Sequence, residues 1–565
     1  MSVGNQVLGI NSSFLQVPFL NLMANIKNRA GAVHIRYGGN TQEFAVLQDS
    51  LPDGKAIEKD KNSASNPTQT PTLILTPEIL YMLNNISALV NAKWYLGIPF
   101  NDSSNLRLGI AEKGEAILGD NLLGLQVGNE PDLYSAHQHR PSTYSQFDYF
   151  GEFGQLIQAV ANDPNIPVRD NLIGPSVATG AWTPEMVWDT GFITAYSSSL
   201  KYLAVEHYPD DNCGAQFGLG AVKDPQTEFP NFLNHTAGKS IIAPYLNSSA
   251  IAQAAGKPFL MFETNTASCG GFPGISDSFG SALWALDYGL QMAYSNFSGA
   301  LLHVGGQSVY YNPFTAPPTN QSAFHQWSVG PIYYATLIVA ETFGPSGNAQ
   351  ILDLNANNGD IFTPAYVIYE DGEAARVALF NYMTDPSGAN TYTATISVGG
   401  GDTGTPNAVP NSVKVKYLKA PSVGEKSNIT WAGQTFGGFF QSDGRLYGDL
   451  DIQTVNCDTN ANTCQIQVPA PGFALVFLTD NAFNEASPTG QQTFPTTAMT
   501  KTHNTVTIPP SVLATSNGHG GANQLSGSTS QGKANAAASR SVVPGAVALG
   551  AMVGGAVLVA RALLR

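Results

Sequence analysis

Two glutamates stand where apolar runs end, and they are the side chains of this sequence best placed to do chemistry. Glu130 lies in LLGLQVGNEP (122–131), and Glu263 follows the apolar run of PFLMFETN (258–265). Two facing carboxyl groups can cleave a glycosidic bond, because one donates a proton to the leaving oxygen while the other attacks the anomeric carbon or activates water. The two groups must hold different pKa values, so we expect two different environments. The alternative for each glutamate is an ordinary salt bridge.

Further polar side chains end or follow apolar runs in the same way. They are Arg36, Asn40, Asn129, His207 and Tyr208. We assign Glu206 a structural role, because alternation along a strand points it away from its neighbour His207. His303 is interpreted as a core or rim histidine. The expected site therefore contains the two glutamates together with Arg36, Asn40, Asn129, His207 and Tyr208.

Seven short apolar runs predict the strands that would position these side chains. Amphipathic segments such as 147–162 and 278–295 lie between the runs and predict helices. Continuous apolar strands separated by helices are typical of a parallel sheet that is buried on both faces. The runs are 32–39, 93–100, 122–131, 172–177, 202–209, 258–265 and 300–305.

The expected fold class is α/β plus all-β, beginning with a (β/α)8 TIM barrel over residues 1–340. The carboxyl ends of the strands of such a barrel meet on one face, and catalytic residues lie there. Seven runs leave one strand unaccounted for. We expect it to be the first strand, which would lie upstream of Met1.

Residues 345–480 alternate apolar and polar side chains, and turn residues separate their runs. This alternation predicts antiparallel strands, and their number favours a β-sandwich domain after the barrel. The runs are 366–370, 376–382, 391–399, 412–418 and 473–479.

The C-terminal region predicts attachment to a membrane. Residues 484–541 are rich in Ser, Thr, Gly, Asn and Ala, which is typical of a flexible, disordered stalk. The tail 542–565 begins with an uncharged run, 542–560, that is long enough to span a bilayer. Small residues before this run slightly favour a GPI-anchor signal, whereas Arg561 and Arg565 fit a membrane span with a basic end. We expect an extracellular or cell-surface protein, although residues 1–14 lack the features of a signal peptide.

The composition argues against nucleic acid as a partner. The chain has 26 Lys and Arg against 41 Asp and Glu, a net charge of −15, whereas nucleic-acid binding requires a basic surface. Hydrophobic residues make up 43% of the chain, which excludes wholesale disorder. No cysteine or histidine spacing is typical of a zinc site, and we expect neither a metal nor a cofactor.

The cysteines and glycosylation sequons indicate an oxidising compartment. Cys213 and Cys269 follow consecutive strands, so their loops share one face and we predict a bridge between them. Cys457 and Cys464 are close in sequence, and we predict that they close a β-hairpin loop. Two disulfides are typical of secreted proteins. Eight N-x-S/T sequons agree with this, at Asn11, Asn85, Asn101, Asn234, Asn247, Asn296, Asn320 and Asn428.

Three segments carry a resemblance to a known family. VGNEPDLY (127–134), RYGGNTQEF (36–44) and FETNTASCGGFPGISDSF (262–279) resemble glycoside hydrolase family 79, the β-glucuronidase and heparanase family of clan A, in its fungal branch. The resemblance implies a retaining exo-β-glucuronidase that acts on carbohydrate bearing β-linked glucuronic acid. It also implies Glu130 as the acid/base and Glu263 as the nucleophile. In a retaining enzyme such carboxyl groups lie about 5–5.5 Å apart.

The same resemblance implies how the sugar is bound. Asn129 would hold the 2-hydroxyl of the sugar, and Tyr208 would sit beside the nucleophile. Gly270, Gly271 and Tyr333 would contact the uronate carboxylate. These implied roles define a pocket for a charged sugar.

The chain departs from the family pattern in two ways. An acidic residue near the end of the first strand would precede Met1, and Ser268 stands where relatives such as heparanase carry a tyrosine. Two other functions stay open. One is a clan A enzyme that acts on neutral sugars, such as a glucanase or xylanase. The other is an inactive carbohydrate-binding protein of the cell wall.

Overall fold

The structure is a computed structural model of the chain. It describes residues 1, 4–52, 54–60, 71–306, 309–317, 327–436, 442–486 and 490–496. The sequon at Asn320, most of the predicted stalk and the whole tail 542–565 lie outside the described residues. Within the described ranges, no helix combines the length and the apolar character needed to cross a bilayer.

A sheet of seven parallel strands forms the catalytic half of the molecule. Neighbours in the sheet follow one another in chain order, and every pairing is parallel. All seven predicted runs are strands here, with ends shifted by a few residues. The strands are β1 (Val33–Tyr37), β2 (Ala92–Ile98), β3 (Leu122–Val127), β4 (Leu172–Val177), β5 (Leu200–Glu206), β6 (Phe259–Thr264) and β7 (Phe297–Leu302).

Helices connect the strands and cover the sheet, as the amphipathic segments predict. The N-terminal end of Gln146–Asn162 shows the local cause, because the Asp148 carboxylate accepts the backbone N–H of Ser145 at 2.9 Å. The longer helices are α1 (Val17–Ala30), α2 (Pro77–Val90), α3 (Gly109–Leu118), α4 (Gln146–Asn162), α5 (His235–Ile242), α6 (Leu246–Ala254), α7 (Phe279–Tyr294) and α8 (Ile332–Phe343).

Shorter elements fill the connections. The short helices are Gly4–Val7, Pro184–Trp188, Phe192–Tyr196, Cys213–Phe217, Pro225–Glu228, Ala356–Gly359 and Asp480–Ala486, with single 3-10 turns at Asn40–Gln42, Gly119–Asn121, Pro131–Leu133, Phe229–Phe232, Ala243–Tyr245 and Gly401–Thr403. The short strands are Gly9–Asn11, Phe14–Leu15, Ala45–Leu47, Ile57–Asp60, Thr72–Leu75, Phe314–Thr315 and Ser328–Val329.

The sheet curls into a nearly closed barrel. Of the described strands, none pairs with the outer edge of β1 or of β7. A cavity of about 1170 Å³ lies along the seam between these two strands and reaches Arg36, Glu263 and His303.

The C-terminal domain is antiparallel β structure, as the alternating pattern predicts. One sheet has the strand order β8-β9-β10-β16-β12-β13, with β14 also paired to β12, and a second sheet pairs β11 with β15. Side chains such as Val377, Val415 and Ile466 fill the core between the two sheets. The strands are β8 (Gln350–Asp353), β9 (Ala365–Glu370), β10 (Glu373–Asn381), β11 (Tyr392–Ile396), β12 (Ser412–Lys419), β13 (Thr430–Trp431), β14 (Gln453–Asn456), β15 (Cys464–Val468) and β16 (Gly472–Phe477).

A buried ion cluster joins the barrel to the β domain. His235 on α5 contacts Asp287 on α7 at 3.1 Å and Asp353 on β8 at 3.0 Å. Hydroxyls of Tyr366 and Tyr382 donate to the same Asp287 carboxylate. Since these side chains come from both domains, the cluster fixes the β domain against the helical shell of the barrel.

The prediction that a disordered stalk begins at residue 484 is wrong. The helix Asp480–Ala486 continues past residue 484, and residues 490–496 lie against the barrel. The backbone N–H of Phe494 donates to the Asn21 side chain at 2.7 Å, and that side chain donates back to the Phe494 carbonyl at 3.0 Å. Gln492 donates to the Leu89 carbonyl. Composition alone misses this because polar segments can still dock through backbone hydrogen bonds.

Candidate active site

Glu130 is held in place by the loop that follows β3. Its backbone has φ 51°, in the left-handed region, and its N–H donates to the Ser176 carbonyl at 3.1 Å. The carboxylate of Asp132 accepts backbone N–H groups of Ala178 and Gly180, both at 2.8 Å. These bonds tie the loop after β3 to the loop after β4. The unusual backbone at Glu130 is therefore supported on both sides.

Asn129 lies beside Glu130 and joins the predicted site residues together. Its amide donates to the side-chain oxygen of Asn40 at 3.0 Å and to the Glu130 carboxyl at 3.3 Å. Its side-chain oxygen accepts from the Arg36 guanidinium. The buried carboxylate of Glu43 accepts the Asn129 backbone N–H at 2.5 Å. Arg36, Asn40, Asn129 and Glu130 therefore converge, as the sequence predicts.

Glu263 accepts hydrogen bonds on both carboxylate oxygens. Arg36 Nη1 lies 2.8 Å from Oε2, and the Tyr208 hydroxyl donates to Oε1 at 2.9 Å. His303 Nδ1 lies 3.2 Å from the same Oε1. Gly39 has φ 86°, a value that favours glycine, and a Cβ placed on it would lie in ordinary contact with Oε2, at 3.7 Å. The predicted positions of Arg36 and Tyr208 match this geometry.

The two glutamates have pKa values shifted in opposite directions. Burial and the negative charges of Glu206 and Glu263 raise the pKa of Glu130 well above its usual range. Burial would also raise the pKa of Glu263, but His303, Arg36 and Tyr208 outweigh it and hold that pKa below its usual range. One carboxyl is therefore a proton donor and the other an anion, which is the division of roles that glycosidic cleavage needs.

The chain after β6 turns twice through glycines beside a disulfide. Gly270 and Gly271 have φ 89° and 77°, values that favour glycine. The Cys213–Cys269 bridge is present, with a Cα–Cα distance of 5.1 Å, and joins the loop after β5 to the loop after β6. Asn212 donates to the Gly271 carbonyl at 2.8 Å. The second predicted bridge, Cys457–Cys464, is also present.

Comparisons with known proteins indicate which family this chain resembles. Residues 365–475 match the family described as "Glycosyl hydrolase family 79 C-terminal beta domain". The chain is 26% identical over 451 residues to a "Beta-glucuronidase" of Aspergillus niger, covering 74% of this chain and 77% of that protein. A "Beta-glucuronidase" of Neurospora crassa is 25% identical over 405 residues, covering 65% and 68%.

The resemblance to glycoside hydrolase family 79 is confirmed. A solved structure of a 4-O-α-L-rhamnosyl-β-D-glucuronidase from Fusarium oxysporum 12S shares the fold of this chain, with a TM-score of 0.63. It is 21% identical, and the match covers 82% of this chain and 92% of that one.

Two residues without a predicted role at the site lie within it, Glu206 and His303. Glu206 carries a buried carboxylate 3.1 Å from Arg36 Nη2, not a remote structural group. The alternation argument fails because the register between β5 and β6 is irregular at Val205 and Glu206. His303 directly follows β7 and contacts Glu263, and its place after a strand end was the available signal.

Tyr333 lines the cavity along the seam, but its hydroxyl is not free to bind a uronate carboxylate. It lies on α8 and is buried, and its hydroxyl donates to the Leu22 carbonyl. Tyr311 lies beside the partners of Glu263 instead, with its hydroxyl 3.2 Å from His303 Nδ1 and its ring against Tyr208. The expectation fails because the Tyr333 hydroxyl is already bonded to the Leu22 carbonyl where α8 packs on α1. No local motif reveals this contact.

His207 meets the site through its backbone, whose N–H donates to the Glu263 carbonyl at 2.9 Å. Its Nδ1 lies 2.7 Å from the Tyr245 hydroxyl and 3.3 Å from the Thr179 hydroxyl. Burial lowers the pKa of His207 to about 4, so the ring is neutral near neutral pH. The ring packs the loop after β4 against the barrel, and neither of these two ring contacts involves Glu130 or Glu263.

Proposed function

We propose that the chain is a retaining exo-β-glucuronidase, with Glu130 as acid/base and Glu263 as nucleophile. The observation that carries this proposal is that two buried carboxyls at the carboxyl ends of β3 and β6 have opposite surroundings: burial and like charges raise the pKa of Glu130, whereas Arg36, Tyr208 and His303 surround Glu263 and favour its anion. The names of the Aspergillus niger and Neurospora crassa relatives support the same activity.

In the first step, an ionised oxygen of Glu263 attacks the anomeric carbon as the glycosidic bond breaks. The proton of the Glu130 carboxyl passes to the leaving oxygen, and a glycosyl ester forms on Glu263. Arg36, Tyr208 and His303 orient the attacking carboxylate and favour its anionic form. The raised pKa of Glu130 keeps its proton available at neutral pH.

In the second step, Glu130 is ionised and takes a proton from water as the water oxygen attacks the anomeric carbon. The ester bond to Glu263 breaks, and the carboxylate returns. Asn129 holds the 2-hydroxyl of the sugar through both steps, and its contacts with Asn40 and Arg36 fix the amide in one orientation. Two displacements on opposite faces retain the β configuration.

The uronate carboxylate binds near Gly270 and Gly271, with Tyr311 in the role first expected for Tyr333. Successive glycines with positive φ can turn backbone N–H groups toward an anion. The Gly271 N–H also contacts the Ser268 carbonyl at 3.4 Å, a long bond that an anion can replace. These local donors offset the net charge of −15, which repels an acidic sugar at long range.

A panel of aryl glycosides tests the proposal. Wild type should cleave an aryl β-glucuronide and release the β anomer first, as proton NMR of the early product will tell. Glu263→Gln, purified and folded to the same degree, is the control for contaminating activity. A preference for aryl β-glucosides or β-xylosides would leave a clan A enzyme for neutral sugars, and no activity on any glycoside would leave a binding protein.

We also propose that the protein works outside the cell, anchored through residues 542–560 and glycosylated at its sequons. The two disulfides support an oxidising compartment. Release from intact cells by a GPI-specific phospholipase would identify a lipid anchor. Resistance to the phospholipase with retention in the membrane fraction would identify a membrane span, and recovery in the medium would contradict any anchor.

A further inference from the structure

A third carboxyl group lies within the site, and the two-step mechanism leaves it without a role. Glu206 ends β5, and it is the register partner of Glu263 on β6. Its side chain is fully buried, with 0% exposure. A buried carboxyl beside another carboxyl is costly, because like charges repel strongly where water is excluded. Such an arrangement needs a cation between the two groups.

Arg36 supplies that cation and is shared between the two carboxylates. Its Nη2 lies 3.1 Å from Glu206 Oε1, and its Nη1 lies 2.8 Å from Glu263 Oε2. Gln126 links the group further, because its oxygen accepts from Arg36 Nε and its amide donates to Glu206 Oε1, both at 2.9 Å. The other oxygen of Glu206, Oε2, is buried with no hydrogen-bond partner among the described residues.

The charge on Glu263 changes during the proposed reaction, whereas the charge on Arg36 does not. When Glu263 becomes a glycosyl ester, its negative charge is lost. A buried guanidinium left without an anionic partner is strongly unfavourable. The 6%-exposed Arg36 side chain keeps one carboxyl neighbour in that state, Glu206, which ionises more readily once the charge of Glu263 no longer raises its pKa.

We propose that Glu206 is a positioning residue that acts through Arg36, holding the guanidinium in place when Glu263 is esterified and presenting negative charge to Glu130. The inference rests on the proposed roles of Glu130 and Glu263. Glu206 is fully buried, and its described side-chain contacts are with Arg36 and Gln126.

The charged and titratable groups around Glu206 come from five strands or their ends. Arg36 lies on β1, Glu130 and Asp132 follow β3, Tyr208 follows β5, Glu263 is on β6 and His303 follows β7. Burial raises the pKa of Glu206 to about 8, although Arg36 lowers it. After burial, the negative charge of Glu206 makes the largest contribution to raising the pKa of Glu130. Glu206 ionises as pH rises through about 8, and its charge then opposes the ionisation of Glu130.

Glu206→Gln tests the proposal, with aryl β-glucuronide hydrolysis followed across pH. The alkaline limb of kcat/KM should move to lower pH by about one unit, because a like charge beside Glu130 is removed. At the pH optimum, kcat/KM should fall roughly 10- to 100-fold, since Arg36 loses one charged partner. Glu206→Asp, which keeps the charge, should keep the alkaline limb where wild type has it.

A matched control separates this role from the general cost of breaking a buried ion pair. Glu341 is also fully buried and pairs with Arg29 and Lys416, away from the site. Glu341→Gln should lower the melting temperature and leave both pH limbs unmoved. If the folded Glu206→Gln protein gives the wild-type pH profile, Glu206 is only structural and the proposal is overturned.

A second readout keeps the inference testable if the proposed activity fails. The carboxyl infrared band that disappears in Glu130→Gln reports the protonation of Glu130 without any turnover. Its titration should occur at lower pH in Glu206→Gln than in wild type. An unmoved titration overturns the inference, whereas a moved titration in a protein that cleaves no glucuronide supports the coupling and rejects the proposed substrate.

Discussion

His303 Nδ1 lies 3.2 Å from Glu263 Oε1, so the residue that follows β7 completes the surroundings of the carboxylate on β6. The Tyr208 hydroxyl shares both partners, at 2.9 Å from Glu263 Oε1 and 2.7 Å from His303 Nδ1. One oxygen of Glu263 thus accepts from Tyr208 and faces the imidazole, and the other accepts from Arg36. An anion with these partners resists protonation, which bears directly on pH dependence.

The pH profile should be broad toward acid. Activity requires Glu263 ionised and Glu130 protonated. The pKa of Glu263 is held below its usual range by His303 and Arg36 despite burial, so the acid limb should lie below the ordinary range of glutamate. The pKa of Glu130 is raised, so the alkaline limb should lie above that range. Measurement of kcat/KM from about pH 3 to about pH 9 checks this. A sharp loss near the ordinary glutamate pKa would contradict both roles.

Replacing the two glutamates should give different signatures. Glu263→Gln removes the nucleophile and should lower kcat/KM roughly 10⁴- to 10⁶-fold for every leaving group. Glu130→Gln should cost about 10²- to 10⁴-fold with a poor leaving group and much less with dinitrophenol, which departs without a proton. Kinetics with a series of aryl glucuronides measure the difference. Equal losses across the series would assign Glu130 another role.

Tyr311→Phe should weaken recognition of the uronate carboxylate. Loss of one hydrogen bond to a charged group predicts a 10- to 150-fold fall, approximately, in the ratio of glucuronidase to glucosidase activity. Tyr333→Phe is the matched control, because its hydroxyl donates to the Leu22 carbonyl inside the protein. Its effect should be on stability alone. A larger loss of selectivity in Tyr333→Phe would restore the first expectation.

The two disulfides should differ in their effects. Cys213–Cys269 spans 56 residues and Cys457–Cys464 spans 7, so chain entropy predicts about 4 and about 2.5 kcal/mol of stabilisation. The first bridge also fixes the glycine turn at Gly270. Paired Cys→Ser replacement there should lower both stability and kcat/KM, whereas replacement of the second pair should lower stability alone. Chemical denaturation and kinetics at a temperature where both stay folded separate the outcomes.

His235 should make stability fall at alkaline pH. Burial alone would lower its pKa, but Asp287 and Asp353 raise it to about 9 from 6.5. Because the pKa of His235 is higher in the folded state, its protonated ring stabilises the fold fully below the unfolded pKa of 6.5. This stabilisation is lost as pH rises through about 9. Discounted for partial exposure, His235→Gln should cost about 1–2 kcal/mol below that window. Melting temperatures of wild type and His235→Gln at several pH values check this prediction. A destabilisation by His235→Gln that grows above about pH 9 would contradict it.

The sequence predicts the strands well and places Glu130 and Glu263 at their carboxyl ends, for a local reason. Buried parallel strands are continuous apolar runs, and polar residues that follow them must lie on one face of the barrel. Glu130 and Glu263 meet these conditions without any knowledge of tertiary contacts. The disulfides follow from the same topology.

The errors come from features that no local pattern encodes. Glu206 reaches Arg36 because of a register irregularity, which alternation cannot anticipate. Tyr333 is engaged by a carbonyl that lies 311 residues away in sequence. Residues 490–496 have the composition of a linker, but Asn21 on α1 binds their backbone. Each of these outcomes depends on a partner that is distant in the chain.

The contact between Phe494 and Asn21 also decides how the molecule would carry mechanical load. A pull on the chain beyond Thr496 reaches this pair of hydrogen bonds before it reaches the helix Asp480–Ala486 or the β domain. Asn21 lies on α1, whose Arg29 is anchored to Glu341 of α8. Tension would therefore be borne first by the helical shell of the barrel, and the sugar-binding face at the carboxyl ends of the strands would lie outside the direct path of the force.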